Sequence, residues 1–439
     1  MNRAIIEKLI SAAKSKAEAY ELFISDFNSV SVSYDKGRLE DIQQRGSSGA
    51  SIRAARGGKL GFAVTNRPED AAELVDSALR LAPYGVPLDF SFAPKAESKF
   101  SCSFDPRLGD VMPDYLAGLG NHARDLMKEL VPEALFSGGY SVGSGSSRVV
   151  TSAGQDAEER GASMGVSIAA EYNQEGNFLT IYDYKQSRKL LDKTDVEKLV
   201  RDVADEFSIA RNPAPFQAGT CRVLFHPDAV GDLLMPAAVA INGVNIEEKT
   251  SRWVEARGSQ VLDKRITIWD DPAHEEAPSQ SGYDGEGTPT QRRALIDQGV
   301  LTGFVHSRST AAHTGEQPTG NGQRALASVG KPGLHSIIME PGTESVDGLL
   351  KQAEGGLYIK RMLGTFTSNF LAGAVSGNIS LGYLVKDGEP VGRVKNCALN
   401  INAFDLLSKA ILGISKDRRW RGGQCLPWIL LDGVAISAK

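Results

Sequence analysis

An α+β fold in two domains is what this sequence predicts, on three observations. The chain has 439 residues, too many for one typical core when a domain holds about 100–200. Alternating strand patterns come in runs, and helical patterns separate those runs instead of alternating with single strands, which argues against a doubly wound parallel sheet. Finally, Arg211-Asn212-Pro213-Ala214-Pro215 breaks a helical pattern just before Cys221-Arg222-Val223-Leu224-Phe225 opens a new strand. Residues 1–215 are therefore assigned to an N-terminal α/β domain, and 216–439 to a C-terminal β-rich domain with few helices.

The elements follow in order. Ile5, Ile6, Leu9, Ile10 and Ala13 recur at spacings of three and four, the mark of a helix with one apolar face. Glu21–Ile24, Val30–Tyr34 and Ala50–Ala54 alternate as half-buried strands, with Asp35-Lys36-Gly37 and Arg56-Gly57-Gly58 as turns. Asn66 and Pro68 before Ala71, Leu74, Val75, Ala78 and Leu79 predict a helix capped by Asn66 with proline in its first turn. A helix is expected over Pro113–Leu130, and another after Thr194, whose hydroxyl with Glu197 three residues on forms a capping-box pattern ahead of Leu199, Val200, Val203 and Phe207. Ser137–Ser147 is rich in Gly and Ser but lacks the Lys-Ser or Lys-Thr of a phosphate loop and the spacing of a dinucleotide fingerprint. It reads as a strand with a flexible hairpin. Beyond the boundary come short strands and Gly turns, with helices over Pro227–Val239 and Ala403–Leu412.

Composition excludes some functions. Hydrophobic residues make up 41% and charged residues 23%, an ordinary globular balance. A net charge of −5 gives no electrostatic drive toward a polyanion, so no nucleic-acid partner is expected. The basic run Lys416–Arg421 reads as a solvated loop. Glu7 and Lys8 interrupt any signal-peptide core, and no run of about 18 apolar residues offers a membrane span. Cys102, Cys221, Cys397 and Cys425 form no Cys-x-x-Cys pair, and the expected location is the cytoplasm.

Candidate chemistry is sparse. His122, His226, His274, His306, His313 and His335 include no two within four residues, which removes the usual helical ligand pair. His274-Glu275 is followed by Pro278, so no metal-binding helix is expected there. Asp284 and Glu286 share a face if they lie on a strand, which permits a carboxylate pair, while Gly285 and Gly287 favour a turn motif. No metal site and no cofactor are expected.

The stretch His226-Pro227-Asp228 through Asp284-Gly285-Glu286-Gly287-Thr288-Pro289-Thr290 resembles the TldD/PmbA family, whose members are known as modulators of DNA gyrase and as a two-subunit zinc peptidase. Further resemblances are Ile268-Trp269-Asp270-Asp271-Pro272, Leu295–Leu301, Thr319–Arg324, Gly355–Ile359, Ser376–Tyr383 and the hairpin Ser51-Ile52-Arg53 with Gly58–Ala63. Asn400-Ile401-Asn402 departs from the family's Gly-Asn pair. In the zinc-bearing branch a His-Glu-x-x-x-His segment falls where this chain has Met235, Pro236 and Ala240, none of which supplies the ligand or base that zinc hydrolysis needs. The chain thus resembles the non-zinc branch, TldE or PmbA. Cys425 lies near the place of the zinc-bearing branch's remaining cysteine ligand, and reads either as a small buried hydrophobe or as a nucleophile.

The resemblance implies a layered α/β N-terminal domain and a C-terminal domain built on a curved, barrel-like sheet. It also implies a non-catalytic subunit that pairs with a zinc-bearing TldD-like subunit to process unfolded peptides. Whether this chain is itself an enzyme stays open, although without the motif it is expected to be inactive alone. Two alternatives stand beside this: a free-standing homodimeric peptide-binding adaptor, and a peptidase with a displaced or non-zinc site. Gly320, Asn321, Gly322, Gly373 and Gly377 are candidates for a substrate channel or subunit interface, where glycine admits close backbone approach. Relief of twist in a curved sheet is the other reading of the same glycines.

Overall fold

The computed structural model describes residues 3–174 and 177–438. In chain order, α1 (Arg3–Lys16) leads into β1 (Ala19–Asp35), β2 (Arg38–Arg56), β3 (Lys59–Thr65) and α2 (Ala71–Leu81). Then come α3 (Pro113–Leu130), β4 (Leu135–Thr151), β5 (Asp156–Gln174), β6 (Asn177–Ser187) and α4 (Lys193–Ala210). These strands form a six-stranded sheet of order β3-β2-β1-β4-β5-β6. Helices α1 and α2 cover one part of it through Leu9, Ala13, Leu74, Val75 and Ala78, while α3 and α4 cover another through Leu116, Ala123, Met127, Val200 and Phe207. Apolar residues three and four apart on each helix make that cover possible.

The second half begins with β7 (Gly219–Phe225), α5 (Pro227–Ala240), α6 (Gly243–Glu247), β8 (Ile268–Asp270), β9 (Arg293–Asp297), β10 (Val300–Leu301) and α7 (Arg308–Thr314). It continues through β11 (Gly322–Gln323), β12 (Lys331–Pro332), β13 (Ile337–Met339), α8 (Val346–Gln352), β14 (Leu357–Leu363) and β15 (Ala374–Lys386). The last elements are β16 (Glu389–Arg393), β17 (Cys397–Asn402), α9 (Ala403–Lys409), β18 (Ile411–Arg421) and β19 (Gln424–Ala438). Strands β19, β17, β15, β14 and β7 pair in succession, and β7 pairs back to β19, which closes a five-stranded barrel. Closure removes the sheet edges that a curved open sheet would expose. The predicted α+β class and barrel-like C-terminal sheet are thus both present. Among the described residues no helix is long and apolar enough to cross a membrane.

Local expectations needed correction in six places. Glu21–Ile24 and Val30–Tyr34 belong to one continuous strand, β1. The Gly/Ser-rich segment contains no hairpin: it runs unbroken through β4, where a Cβ at Gly145 would lie 2.6 Å from Asp26 O and one at Gly143 would lie 2.9 Å from Phe27 Cζ. Helix α2 is preceded by Asp70, not Asn66, and Pro68 lies outside its first turn. Asp192, not Thr194, caps α4, because its side chain accepts from Thr194 N and Asp195 N while Asp195 completes the capping box. The helix expected over Ala403–Leu412 stops at Lys409. The basic run Lys416–Arg421 is the end of β18, not a solvated loop.

Charged groups tie the two halves together. Strand β6 is the outer strand of the first sheet, and three guanidiniums from the second half occupy its edge: Arg393 Nη1 donates to Phe178 O at 3.3 Å, Arg361 Nη2 to Tyr182 O, and Arg421 Nη1 to Tyr184 O at 3.2 Å. Those carbonyls share one edge because residues of equal parity point the same way across a ladder.

Between α4 and β7 lies the assigned boundary at 215/216. Residues 212–214 are pinned, with Ala214 N donating to Arg393 O and Arg393 N to Asn212 O, both at 2.8 Å. Gln217 and Ala218 are exposed ahead of β7. Limited proteolysis is expected to nick the chain at 215–218 and leave two fragments of about half the chain each. Cleavage confined to the ordered β4 segment would argue against this boundary.

Candidate functional site

Helix α5 carries the positions that the sequence singled out. His226 caps it, its Nδ1 accepting from Asp228 N at 3.1 Å. Burial, then the charges of Lys360, Arg421, Arg419 and Arg361, hold this imidazole well below its usual range, so it is neutral. Met235 lines a cleft of about 540 Å³ between α5, β6 and β14. Pro236 sits inside the helix and is buried. There it removes the N–H that would bond Asp232 O, a defect worth about 3 kcal/mol in a helix interior. Ala240 is 3% exposed within the apolar core, and its carbonyl accepts from Ser251 Oγ at 2.6 Å.

Cys425 does not complete a ligand set with this helix. A Cβ at Gly231 of α5 would lie 2.6 Å from Gln424 Oε1 and 3.9 Å from Leu426 Cδ1, so the strand neighbours on either side of Cys425 face α5. Alternation along β19 turns Cys425 the other way. Burial raises its thiol pKa, which disfavours the thiolate that metal binding and nucleophilic attack require. A thioether, a proline, an alanine and a thiol on the opposite face do not fit a catalytic zinc. Among the described residues no three His, Cys, Asp or Glu side chains gather into a set able to hold a metal ion.

What surrounds the helix is a charged network. Arg421 Nη1 donates to Asp183 Oδ1 at 2.5 Å and its Nε contacts Asp228, while Arg419 also pairs with Asp183. Lys360 donates to Glu206 at 2.5 Å, and Tyr383 donates to the other Glu206 oxygen at 3.0 Å. Arg361 stacks on Tyr182 at 3.8 Å and Arg421 on Tyr184 at 4.9 Å. Burial pushes the Asp183 carboxyl up, but Arg421 and Arg419 outweigh it and hold the group below the usual carboxylate range. Asp232, one turn before Met235, accepts from Thr365 Oγ1 at 3.3 Å and pairs with no cation among the described residues. Burial, with a contribution from Asp228, pushes its pKa up to about 6.

The sequence reading missed this network. Arg419 and Arg421 are two apart on a strand and so share a face, but the polar run before them hid the alternation.

Gly320, Asn321, Gly322 and Gly373 lie away from the cleft, and all five candidates make internal contacts. At Gly320, φ is +74° and a Cβ would lie 2.5 Å from Pro289 O. Asn321 is buried, donating to Asp270 Oδ2 at 2.6 Å and Gly333 O at 2.9 Å. Gly322 N donates to Asp284 Oδ2 at 2.8 Å, and its missing side chain leaves room for Glu286. Gly373 ends a turn at φ +82° against the Phe404 ring. Gly377 on β15 faces Thr365 and the Leu363 carbonyl, and Leu363 lines the cleft beside α5. Of the five, Gly377 alone is brought next to the wall of that cleft.

Asp284 and Glu286 occupy a buried turn. Asp284 accepts backbone N–H groups of Glu286, Thr288 and Gly322, and its pKa is raised by burial and then by Glu286. Glu286 accepts from Arg53 Nη2 at 3.0 Å and Arg308 N at 2.7 Å.

A layered sheet joined to a closed barrel, with a barrel-packed helix whose motif positions offer no ligand set, defines a two-part α+β scaffold. Residues 218–438 match the family model described as the PmbA/TldA metallopeptidase C-terminal domain, and residues 20–82 match its domain 1. The chain belongs to the PmbA/TldD family. It is 24% identical to the protein named metalloprotease PmbA of Escherichia coli O157:H7, over 100% of this chain and 97% of that one. It is 25% identical to a protein named metalloprotease of Methanothermobacter thermautotrophicus, over 89% and 86%. The crystal structure of TldE from Thermococcus kodakarensis superposes with a TM-score of 0.92 at 23% identity, over 99% of this chain and 100% of that one. At that identity the likeness concerns the fold.

Proposed function

We propose that this chain is a non-catalytic, TldE/PmbA-like subunit that pairs with a zinc-bearing, TldD-like subunit, and that the pair processes unfolded peptides in the cytoplasm. The observation that carries the reading is α5: the helix and its barrel packing are retained, while Met235, Pro236 and Ala240 offer no metal donor or base. In such a pair the partner's metal-bound water does the chemistry, and this chain supplies a second surface that positions an extended peptide. No nucleic-acid or membrane partner is part of the reading.

Mixing tests it. With a zinc-bearing subunit from the same source, a one-to-one complex should form and cleavage of an unstructured protein should rise by about tenfold or more, in line with the value of positioning. Native mass measurement and a chelator control read the result. A persistent homodimer that leaves the partner's activity unchanged would overturn the pairing and favour the free-standing adaptor.

A further inference from the structure

The cleft beside α5 is lined by groups of opposite charge that keep some hydrogen-bonding capacity: one guanidinium nitrogen of Arg421 and the Asp232 carboxylate. Arg421 is 6% exposed, and its Nη2 has no hydrogen-bond partner among the described residues. A desolvated donor left open in a native fold calls for a ligand, an ion or water. Arg361 lines the same cleft, fixed by its stack on Tyr182, by Nη2 donating to Tyr182 O and by Nε 3.4 Å from Asp228 Oδ2, which leaves Nη1 as its uncommitted nitrogen. Asp232, also on the cleft wall, is a carboxylate whose hydrogen bond comes from a hydroxyl, not from a cation. Met235, Met362 and Leu363 supply apolar wall between these polar groups. The volume of about 540 Å³ falls in the range of about 300–1,000 Å³ typical of ligand sites.

Charge decides the ligand class. Arg361 and Arg421 stand against Asp228 and Asp232 around the cleft, so the cations and carboxylates balance. A dianion such as phosphate, or a simple amine, would upset that balance, whereas a ligand carrying one charge of each sign leaves it unchanged and meets both the unpartnered Arg421 nitrogen and Asp232. We propose that this cleft binds short zwitterionic peptides, their carboxylate on Arg421 and Arg361 and their terminal ammonium on Asp232. The proposal rests on the peptide-processing reading and extends it. Endoproteolysis releases chains with free termini of both kinds, so the subunit would retain small products beside the channel.

Calorimetric titration of the chain alone tests this. Trileucine with free termini should bind, and its N-acetyl and C-amide forms should each bind about tenfold more weakly or worse, because each loses a charge-assisted contact. Asp232→Asn, a half-buried site with one hydroxyl contact, should fold normally, lose the discrimination against the N-acetyl form and keep that against the amide. Arg361→Lys should narrow the preference for the free carboxylate. If either variant fails to fold, the comparison of the three peptides on the unaltered chain still decides. Equal binding of all three forms, or an Asp232→Asn variant that still discriminates against the N-acetyl form, would overturn the proposal. So would displacement of trileucine by equimolar inorganic phosphate. Because no partner subunit is present, failure here leaves the pairing hypothesis standing, and failure of pairing leaves this titration informative.

Discussion

Arg53→Met is expected to destabilise the protein by about 3–5 kcal/mol, the usual consequence of removing one partner from a buried ion network. Arg53 on β2 is 5% exposed, with Nε 2.9 Å from Glu21 Oε1, and its Nη2 is 2.7 Å from Glu21 Oε2 and 3.0 Å from Glu286 Oε1. It therefore joins the first sheet to the Asp284–Thr288 turn of the second half. Arg324 supports the same cluster by pairing with Glu21 and donating to Ser51 Oγ at 3.0 Å. Methionine would fill much of the volume but leave Glu286 without its side-chain cation and Glu21 with one cation in place of two. Urea unfolding at neutral pH measures the loss.

The pH dependence has a definite sign. Burial pushes the Glu21 carboxyl up, yet Arg53 and Arg324 hold it below the usual carboxylate range. A carboxyl with a lowered folded pKa contributes stability above its unfolded value of about 4.3, and loses it as pH falls through the folded value. The gap between the variant and the parent should accordingly narrow as pH drops below about 4. A loss under about 1 kcal/mol at pH 7, the scale of an exposed pair, would mean that water reaches this cluster and that the halves separate readily.

The way Arg53 could be read from sequence shows where sequence reasoning works and where it stops. The alternation around Ser51-Ile52-Arg53 and the turn after it were legible, because strand periodicity and Gly-rich turns are local properties. Helices α3 and α5 were legible for the same reason: their apolar spacing and terminal prolines lie within a single window. That Arg53 bonds Glu286, 233 positions away, is a product of tertiary packing and leaves no trace in spacing. The continuous β1 and β4 were misread because Ser25–Ser29, polar except for Phe27, and the Gly/Ser run interrupt the alternation, although neighbouring strands carry the pairing through. At the candidate site, the absence of metal donors at Met235, Pro236 and Ala240 was legible from residue chemistry. The guanidiniums of Arg361 and Arg421 come from separate strands that meet α5 only once the barrel closes.

Restoring the lost motif by the triple substitution Met235→His, Pro236→Glu and Ala240→His is expected to yield neither stoichiometric zinc nor peptide hydrolysis, and the unaltered chain should likewise hold no zinc and cleave nothing alone. Met235 lines the cleft, so a histidine there is sterically reasonable. Replacing Pro236 returns an N–H to the helix, but sets a carboxylate among the buried Leu233, Leu234 and Ala237. Ala240 is 3% exposed in the apolar core, and a larger, polar side chain there overpacks it at about 1–3 kcal/mol before any metal is bound. The third ligand is also missing, because Cys425 faces away from α5, and a catalytic zinc needs three protein ligands and an open position. Elemental analysis after brief chelation, together with digestion of an unstructured protein, reads both parts of the prediction. One zinc per unaltered chain, or chelator-sensitive cleavage by that chain alone, would defeat the non-catalytic reading. A triple variant that binds zinc and cleaves would show that the helix had lost only its ligands, with the remaining catalytic architecture intact around it.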